Sequence, residues 1–247
     1  MGQWAMRWWW REMTGLVLPV ACGGCGRPRT TLCDACGRAL AGAAGRRVRP
    51  VPEPAGLPVV CAAAPYADAV RAVLLGHKER GALGLARPLG VALAGAVRAS
   101  VAASAGSGGL PLLLVPVPSA RRVVRARGHD ATRRVARAAA GELRRRGTAA
   151  RALPVLRQRR PVADQSGLSA RERQENLAGA LEVVPGGARL LAGGRPVLVD
   201  DLMTTGASLA EAARALRAGS EPRIGGPVRV SAAVVAAPPL SFEINRN

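Results

Sequence analysis

Aromatic side chains are almost missing from this 247-residue chain: outside the first ten residues, which hold all four tryptophans, only Tyr66 and Phe242 occur. That excludes a platform of stacked aromatic faces, the usual means of gripping single-stranded bases. Lysine is scarcer still, with Lys78 the only one among 36 basic residues. No stretch reaches the ~18 consecutive apolar residues of a membrane span. Arg7, Arg11 and Glu12 interrupt the N-terminal apolar positions that a signal peptide would need unbroken. A cytoplasmic protein is the expectation. A Walker phosphate loop is excluded as well, because no segment ends Gly-Lys-Ser/Thr.

What is abundant is arginine. The formal charge is +20 and the isoelectric point about 11.7, which points to anionic partners such as phosphorylated metabolites or nucleic acid. The heavy use of Ala, Gly and Arg throughout is the mark of a GC-rich coding sequence, so part of this charge is compositional. Residues 121–160 nevertheless carry 14 Arg against Asp130 and Glu142 alone. A local excess of that size needs an anion or solvent.

Four of the five cysteines fall in the run CGGCGRPRTTLCDACG, where Cys22 and Cys25 form one Cys-x2-Cys knuckle and Cys33 and Cys36 a second. Four thiolates at this spacing can surround one zinc ion tetrahedrally, with the glycines permitting tight turns. A metal-free redox pair is the alternative. So small a segment cannot bury enough core to fold alone, whereas structural zinc supplies roughly 10–16 kcal/mol. No histidine lies nearby and no ligand position is spare, so the expected zinc is structural. Cys61 is left to pack as a small apolar residue.

Residues 1–14 form a Trp/Arg-rich segment, read either as a helix at a membrane surface, as a helix packed on the body, or as an over-extended start before Met13. The ribbon occupies 15–45, and a linker with Pro50, Pro52, Pro54 and Pro58 covers 46–58. An α/β domain is expected over 59–240, with a short tail over 241–247. Its strands are expected at Val59–Ala64, at LPLLLVPVP, at Val155–Arg157 and at Val228–Val235; helices are expected around Ala69–Leu75, along Leu85, Leu89, Leu93 and Val97, and over Asp130–Arg146. His77 to Gly81 reads as a polar corner with His77 at the surface. Arg121, Arg122, Arg125 and Arg127 are expected in a loop closed by Gly128. That loop reads as an anion site or as a solvated basic face. Ser169 and Glu172 fit a capping box opening a helix through Asn176.

The chain is organised around PVLVDDLMTTGAS. Val197 to Val199 have the pattern of a strand buried on both faces, expected to stop at Asp200 and Asp201. Thr204, Thr205 and Gly206 make a turn, and from Ser208 the residues Leu209, Ala212, Ala213 and Leu216 fall at helical spacing. Backbone N–H groups at such a strand-to-helix bend can surround a phosphate. Adjacent carboxylates suit a ligand that also offers hydroxyls, such as a ribose 5-phosphate. A plain strand-to-helix turn with an N-cap is the alternative.

This segment resembles the phosphoribosyl-pyrophosphate loop of type I phosphoribosyltransferases. The order of the four-cysteine ribbon, GHKERG, VPVP, RARGHD, DQSGLSARERQENLAGAL and VLVDDLMTTGAS resembles the ComF family. That family is known by its link to DNA uptake in competent bacteria, and it joins a zinc ribbon to a phosphoribosyltransferase fold. The likeness covers roughly residues 15–237. It implies an α/β fold with a parallel sheet flanked by helices. Asp200 and Asp201 would hold ribose hydroxyls, while Thr204, Thr205, Gly206, Ala207 and Ser208 would hold the 5-phosphate. The Pro118–Gly128 segment, with Arg125, Arg127 and Gly128, would face pyrophosphate, Lys78 would join the ligand-binding set, and Gln165–Asn176 would form a mobile loop. Mg²⁺ would accompany phosphoribosyl pyrophosphate. His129 and Asp130 stand where relatives tend to carry an aromatic and an asparagine, and Glu79 stands where an aromatic is expected.

The function implied is phosphoribosyl transfer to an unidentified acceptor, in nucleotide metabolism or in competence, with single-stranded DNA, DNA-uptake proteins or a second copy of the chain as partners. The alternative is a non-catalytic basic adaptor handling single-stranded DNA. The transferase reading requires that the paired acids are not both consumed by internal partners while the amides of the bend are also taken.

Overall fold

The computed structural model describes residues 21–104, 109–162, 169–220 and 229–245. The Trp-rich segment, the start of the ribbon before Ala21, the glycine-rich loop at 105–108 and the first part of the expected mobile loop lie outside the described residues. So do Val228 and the end of the tail.

A six-stranded sheet carries the domain, in the spatial order β1-β2-β8-β7-β3-β4. Its strands are β1 (Arg46–Val48), β2 (Val60–Pro65), β3 (Leu112–Pro116), β4 (Ala150–Ala152), β7 (Arg195–Leu202) and β8 (Ser231–Ala237). All neighbours run parallel except β1, which pairs antiparallel with β2 at the edge. The uninterrupted apolar runs follow from burial on both faces. Val197 and Val199 enter one core while Leu198 enters the other, and Leu112 and Leu114 alternate with Leu113 and Val115 in the same way. A separate hairpin pairs β5 (Leu156–Gln158) with β6 (Leu181–Val183). The expected strand at Val155–Arg157 is thus present but stands apart from the main sheet.

Eight helices are described: α1 (Asp34–Ala41), α2 (Asp68–Glu79), α3 (Ala86–Ala103), α4 (Arg121–Arg127), α5 (Ala131–Arg145), α6 (Ala170–Leu177), α7 (Gly187–Ala192) and α8 (Ala207–Ala218). Asp130 caps α5 by accepting from the Arg133 N–H at 2.9 Å. The Ser169/Glu172 capping box opens α6 as its spacing predicts. By length and composition, Leu83–Ala103 is apolar enough to cross a membrane. Here α3 serves as the central core helix, with Leu89, Leu93 and Val97 fully buried between the sheet and α5.

The α3–α5 contact depends on Gly90, where a Cβ would lie 2.5 Å from the Ala138 Cβ and 2.8 Å from its carbonyl carbon. Backbone cannot yield as a flexible side chain would. Gly90→Ala is expected to cost about 1–3 kcal/mol by overpacking. A thermal melt should show a drop of roughly 3–10 °C for a chain of this size; an unchanged midpoint would mean that the helices can separate freely.

Two expectations change here. The strand β7 does not stop at the acids but runs through Asp200 and Asp201 to Leu202, still paired with β8 at Asp200↔Val234 and Leu202↔Ala236. The Arg-rich loop is instead the short helix α4, ended by Gly128 in the left-handed region at φ 73°.

The linker is likewise part of the fold. Its start forms β1, and Pro50 and Leu57 pack over Gly206. Arg46 lies over the Phe242 ring at 4.5 Å, which ties the edge strand to the C-terminal 3-10 turn. On the ribbon side, Leu40 of α1 joins the main core, and a Cβ on Gly23 would meet Leu85 at 2.8 Å.

Candidate functional site

The strand order decides where a ligand fits. From β3 the chain crosses through α4 and α5 to β4 on one side, and from β7 it crosses through α8 to β8 on the other. Two right-handed crossovers leaving in opposite directions lie on opposite faces of the sheet, so a crevice opens between the carboxyl ends of β3 and β7. A cleft of about 360 Å³ occupies this switch point. Val117 to Ala120 beyond β3 line it, together with Asp200 and Asp201 at the carboxyl end of β7, Thr204 and Ser208 beyond it, and Lys78 and Thr132.

The two acids have different surroundings because neighbours on a strand face opposite ways. Asp201 shares the parity of Val197 and Val199 and meets α2, where its Oδ2 lies 2.7 Å from the Lys78 ammonium. Lys78 loses hydration there, but the charges of Asp201 and Asp200 outweigh that loss and raise its pKa above the ordinary value. Asp200 has no such cation on it. Its Oδ1 accepts from the Asp201 N–H at 2.8 Å and from the Thr132 hydroxyl at 3.5 Å. Burial pushes its carboxyl well above the usual range, the charge of Asp201 adds to this, and Lys78 only partly offsets it.

The bend beyond the acids is open. Gly206 adopts φ 78°, where a side chain would be strained and would press on Leu57 and Pro50 at 3.2 Å. Its carbonyl accepts from the Ala210 N–H at 2.9 Å, which starts the twelve-residue α8. Among the described residues, no hydrogen bond occupies the amides of Thr204, Thr205, Gly206, Ala207 or Ser208. Only half of the excluding condition is therefore met: Asp201 has an internal partner, while the amides remain available. Thr204 and Ser208 face the cleft; Thr205 and Ala207 line a smaller recess under the linker, with Arg171 and Gln174.

Of the basic residues singled out, Lys78 and Arg127 line the cleft and Arg125 does not. Helical geometry is the reason: Arg125 lies about 200° round the helix from Val123, which faces the cleft, whereas Arg127 is one turn on from Val123 and returns to that face. Arg127 is also engaged, donating from Nε to Glu79 at 3.0 Å. Gly128 does not line the cleft and serves to end α4. Thr132 and Gln158 line the cleft without any mark in the sequence, whereas Arg122, one of the four arginines of the basic segment, lines it as well.

His77, expected at the surface, is buried within α2 at 2 % exposure. Its Nδ1 is 3.4 Å from the Ala82 carbonyl, its Nε2 has no partner, and the His129 ring lies 5.7 Å away. Burial pushes its pKa down, and the neighbouring His129 and Arg134 act in the same direction against the carbonyls of Ala82 and Ala131. A histidine held neutral in the fold contributes stability above its ordinary value of 6.5, and that stability is lost as pH falls toward the depressed folded value. Urea unfolding between pH 7 and 5 should show a decline for the natural chain and a flatter one for His77→Leu; parallel curves would contradict this role.

A second site lies in the ribbon. The Sγ atoms of Cys22, Cys25, Cys33 and Cys36 all lie within 4.8 Å of one another. Cys25 and Cys33 are 3.7 Å apart, too far for a disulfide and close to the roughly 3.8 Å edge of a tetrahedron with ~2.3 Å metal–sulfur bonds. The Cys33 N–H donates to the Cys22 sulfur at 3.3 Å. Burial pushes the Cys22 thiol up, but N–H groups of Cys33, Cys25 and Gly24 outweigh it and bring it down to about 6. Cys36, buried among the other three, is pushed up to about 12. Gly24 is required for this closeness, because a Cβ there would sit 2.7 Å from the Cys36 sulfur. The four cysteines could hold a metal ion. Cys61 is buried at 1 % in β2, away from the cluster, as expected of an apolar packer.

The fold and sites define a mixed α/β protein with a mostly parallel sheet flanked by helices and a four-cysteine cluster toward its N-terminus. Neither a protein-family model nor a curated protein matches the chain.

Proposed function

We propose that the switch-point cleft binds phosphoribosyl pyrophosphate with Mg²⁺ and transfers its phosphoribosyl group, on a type I phosphoribosyltransferase fold of the ComF kind. The observation that supports this reading most is Asp200: a carboxylate with no cation of its own, beside unoccupied amides at the start of α8. Acids destabilised by their surroundings are concentrated at functional sites. Ribose hydroxyls would donate to Asp200 and Asp201, and the 5-phosphate would accept from the Thr204–Ser208 bend.

Magnitudes show why more than the bend is needed. A helix N-terminus contributes about 0.3–1 kcal/mol to an anion through its dipole, whereas micromolar binding takes about 8 kcal/mol. Charge-assisted bonds from Arg122 and Lys78, which line the same cleft, supply part of the difference. Mg²⁺, arriving with the substrate, neutralises pyrophosphate charge. In the reaction the bond from ribose C1 to pyrophosphate breaks, its electron pair leaves with pyrophosphate, and an acceptor atom bonds to C1 and gives up its proton. Fixed positive groups around the cleft stabilise the departing charge.

In the ribbon, the four cysteines would hold zinc in a structural role, since all four ligand positions are filled by thiolates. Calorimetry with phosphoribosyl pyrophosphate and Mg²⁺ tests the cleft, with micromolar binding expected. Heat of the same size from an Asp200→Asn/Asp201→Asn variant would overturn the reading. Pyrophosphate release against a panel of nucleobases and amines would then identify the acceptor.

A further inference from the structure

A second recess, of about 460 Å³, adjoins the cleft and shares Ala120, Arg122, Gln158 and Val162 with it. Its walls come from the start of α4, from β5 and from the chain just beyond β5. Five arginines face it, Arg121, Arg122, Arg157, Arg159 and Arg160, against one acid, Glu182.

These arginines fall into two groups. Arg157 is neutralised across the hairpin, its Nε donating to Glu182 at 2.8 Å. Arg160 is fixed by donating from Nη2 to the carbonyls of Asn176 and Ala178, both at 2.9 Å. These two build the wall. Arg159 is tied down only by its backbone, its N–H donating to the Ala180 carbonyl at 2.8 Å; among the described residues, the guanidinium groups of Arg121, Arg122 and Arg159 have neither a carboxylate nor a carbonyl partner. Guanidinium groups around one concavity repel one another, and the arrangement becomes favourable only when anions sit between them.

We propose that this recess binds a small organic dianion, carrying two carboxylates or a phosphate, and that such an anion rather than a neutral nucleobase is the acceptor delivered to the cleft. The anion class follows from the recess alone; the acceptor role rests on the transferase reading. Among the described residues no aromatic side chain lines the walls, so a flat neutral base would find only guanidinium planes to stack on, and these carry the charge that an anion satisfies better. Planar bidentate donors suit carboxylate and phosphate equally, and the probes must separate the two.

The experiment titrates the full chain with succinate, glycerol 3-phosphate and adenine, each with and without phosphoribosyl pyrophosphate and Mg²⁺. Arg121→Ala/Arg159→Ala is compared with the natural chain; both residues lie outside the cleft, so phosphoribosyl pyrophosphate binding serves as the control for folding. Succinate or glycerol 3-phosphate should bind, weaken with salt, and weaken at least about tenfold in the double variant, since bonds to charged groups are individually strong. The better of the two identifies the acid group. Adenine binding as tightly as either anion, or anion affinity unchanged in the double variant, would overturn the proposal. Anion binding without any for phosphoribosyl pyrophosphate would overturn the acceptor role and the transferase reading together, leaving an anion site; the reverse pattern would overturn the anion site and leave the transferase reading intact.

Discussion

Asp200→Asn and Asp201→Asn will each abolish phosphoribosyl pyrophosphate binding at micromolar concentrations, yet they will move stability in opposite directions. On the proposed reading, each carboxylate lost would remove a bond from a ribose hydroxyl to a charged acceptor, worth about 1.5–3 kcal/mol, so the double change should weaken binding by more than about a hundredfold. The stability effects differ because the two acids are compensated differently. Asp201 holds the Lys78 ammonium at 2.7 Å, and Asp201→Asn leaves that cation in surroundings where it is two-thirds covered, with side-chain exposure of 32 %. A loss of about 1–3 kcal/mol follows, below the cost for a fully buried pair because water still reaches the lysine.

Asp200 works the other way. Its folded carboxyl is raised, so its contribution is fully present below the ordinary 3.8 and is lost as pH rises through the folded value. Above the ordinary value, holding this acid in its buried place is a cost that Asn removes. Asp200→Asn should therefore raise the melting temperature at pH 8, and the gain should shrink as pH falls toward 5. Two variants that both lower stability, by amounts independent of pH, would mean that Asp200 is an ordinary paired acid. Such a trade of stability against binding is common where an active site stores unfavourable charge.

Losing the metal ion that the four cysteines could hold is the second large expected effect. Cys36→Ser, or chelation of the natural chain, is expected to release the metal and lower the melting temperature by 10 °C or more. The ribbon covers part of the main core: Leu40 enters it and Leu85 lies against Gly23, both at 1 % exposure. Uncovering two such leucines costs about 3–6 kcal/mol, and each kcal/mol moves the midpoint by about 2–4 °C in a chain of this size. Cys25→Ser isolates the metal from packing. Cys25 is the exposed member of the cluster, so its substitution disturbs no core. An equal loss of metal and of stability in Cys25→Ser is expected; a silent Cys25→Ser would sink the metal assignment.

Much of this was legible from spacing. The two knuckles fixed four sulfurs within reach of one ion, and the unbroken run at Val197–Val199 required a strand with both faces covered. The capping box marks the start of α6, and the helix expected over Asp130–Arg146 is α5, with Asp130 as its cap. Misreadings occurred where local composition competed with packing. Four arginines, Arg121, Arg122, Arg125 and Arg127, in a short span suggest a loop, but Val123 and Val124 give α4 partly covered positions, and Gly128 ends it. His77 was placed at the surface because its neighbours are charged, although α2 continues through Glu79 and turns that one position inward.

Within each element, the period of the backbone settles which side chains share a face, and that period is written in the order of residues. Four of the sheet's six strands, β2, β3, β7 and β8, the metal-ready cysteines and the acid–threonine–glycine bend were determined in this way, while β1, inside the expected linker, and the three-residue β4 were not. Which faces then meet is a different matter. Lys78 reaches Asp201, and α4 lies beside the cleft at all, only because crossovers of one hand lay α2 and α4 over the same end of the sheet. Such contacts join residues far apart in the chain, and no local pattern encodes them.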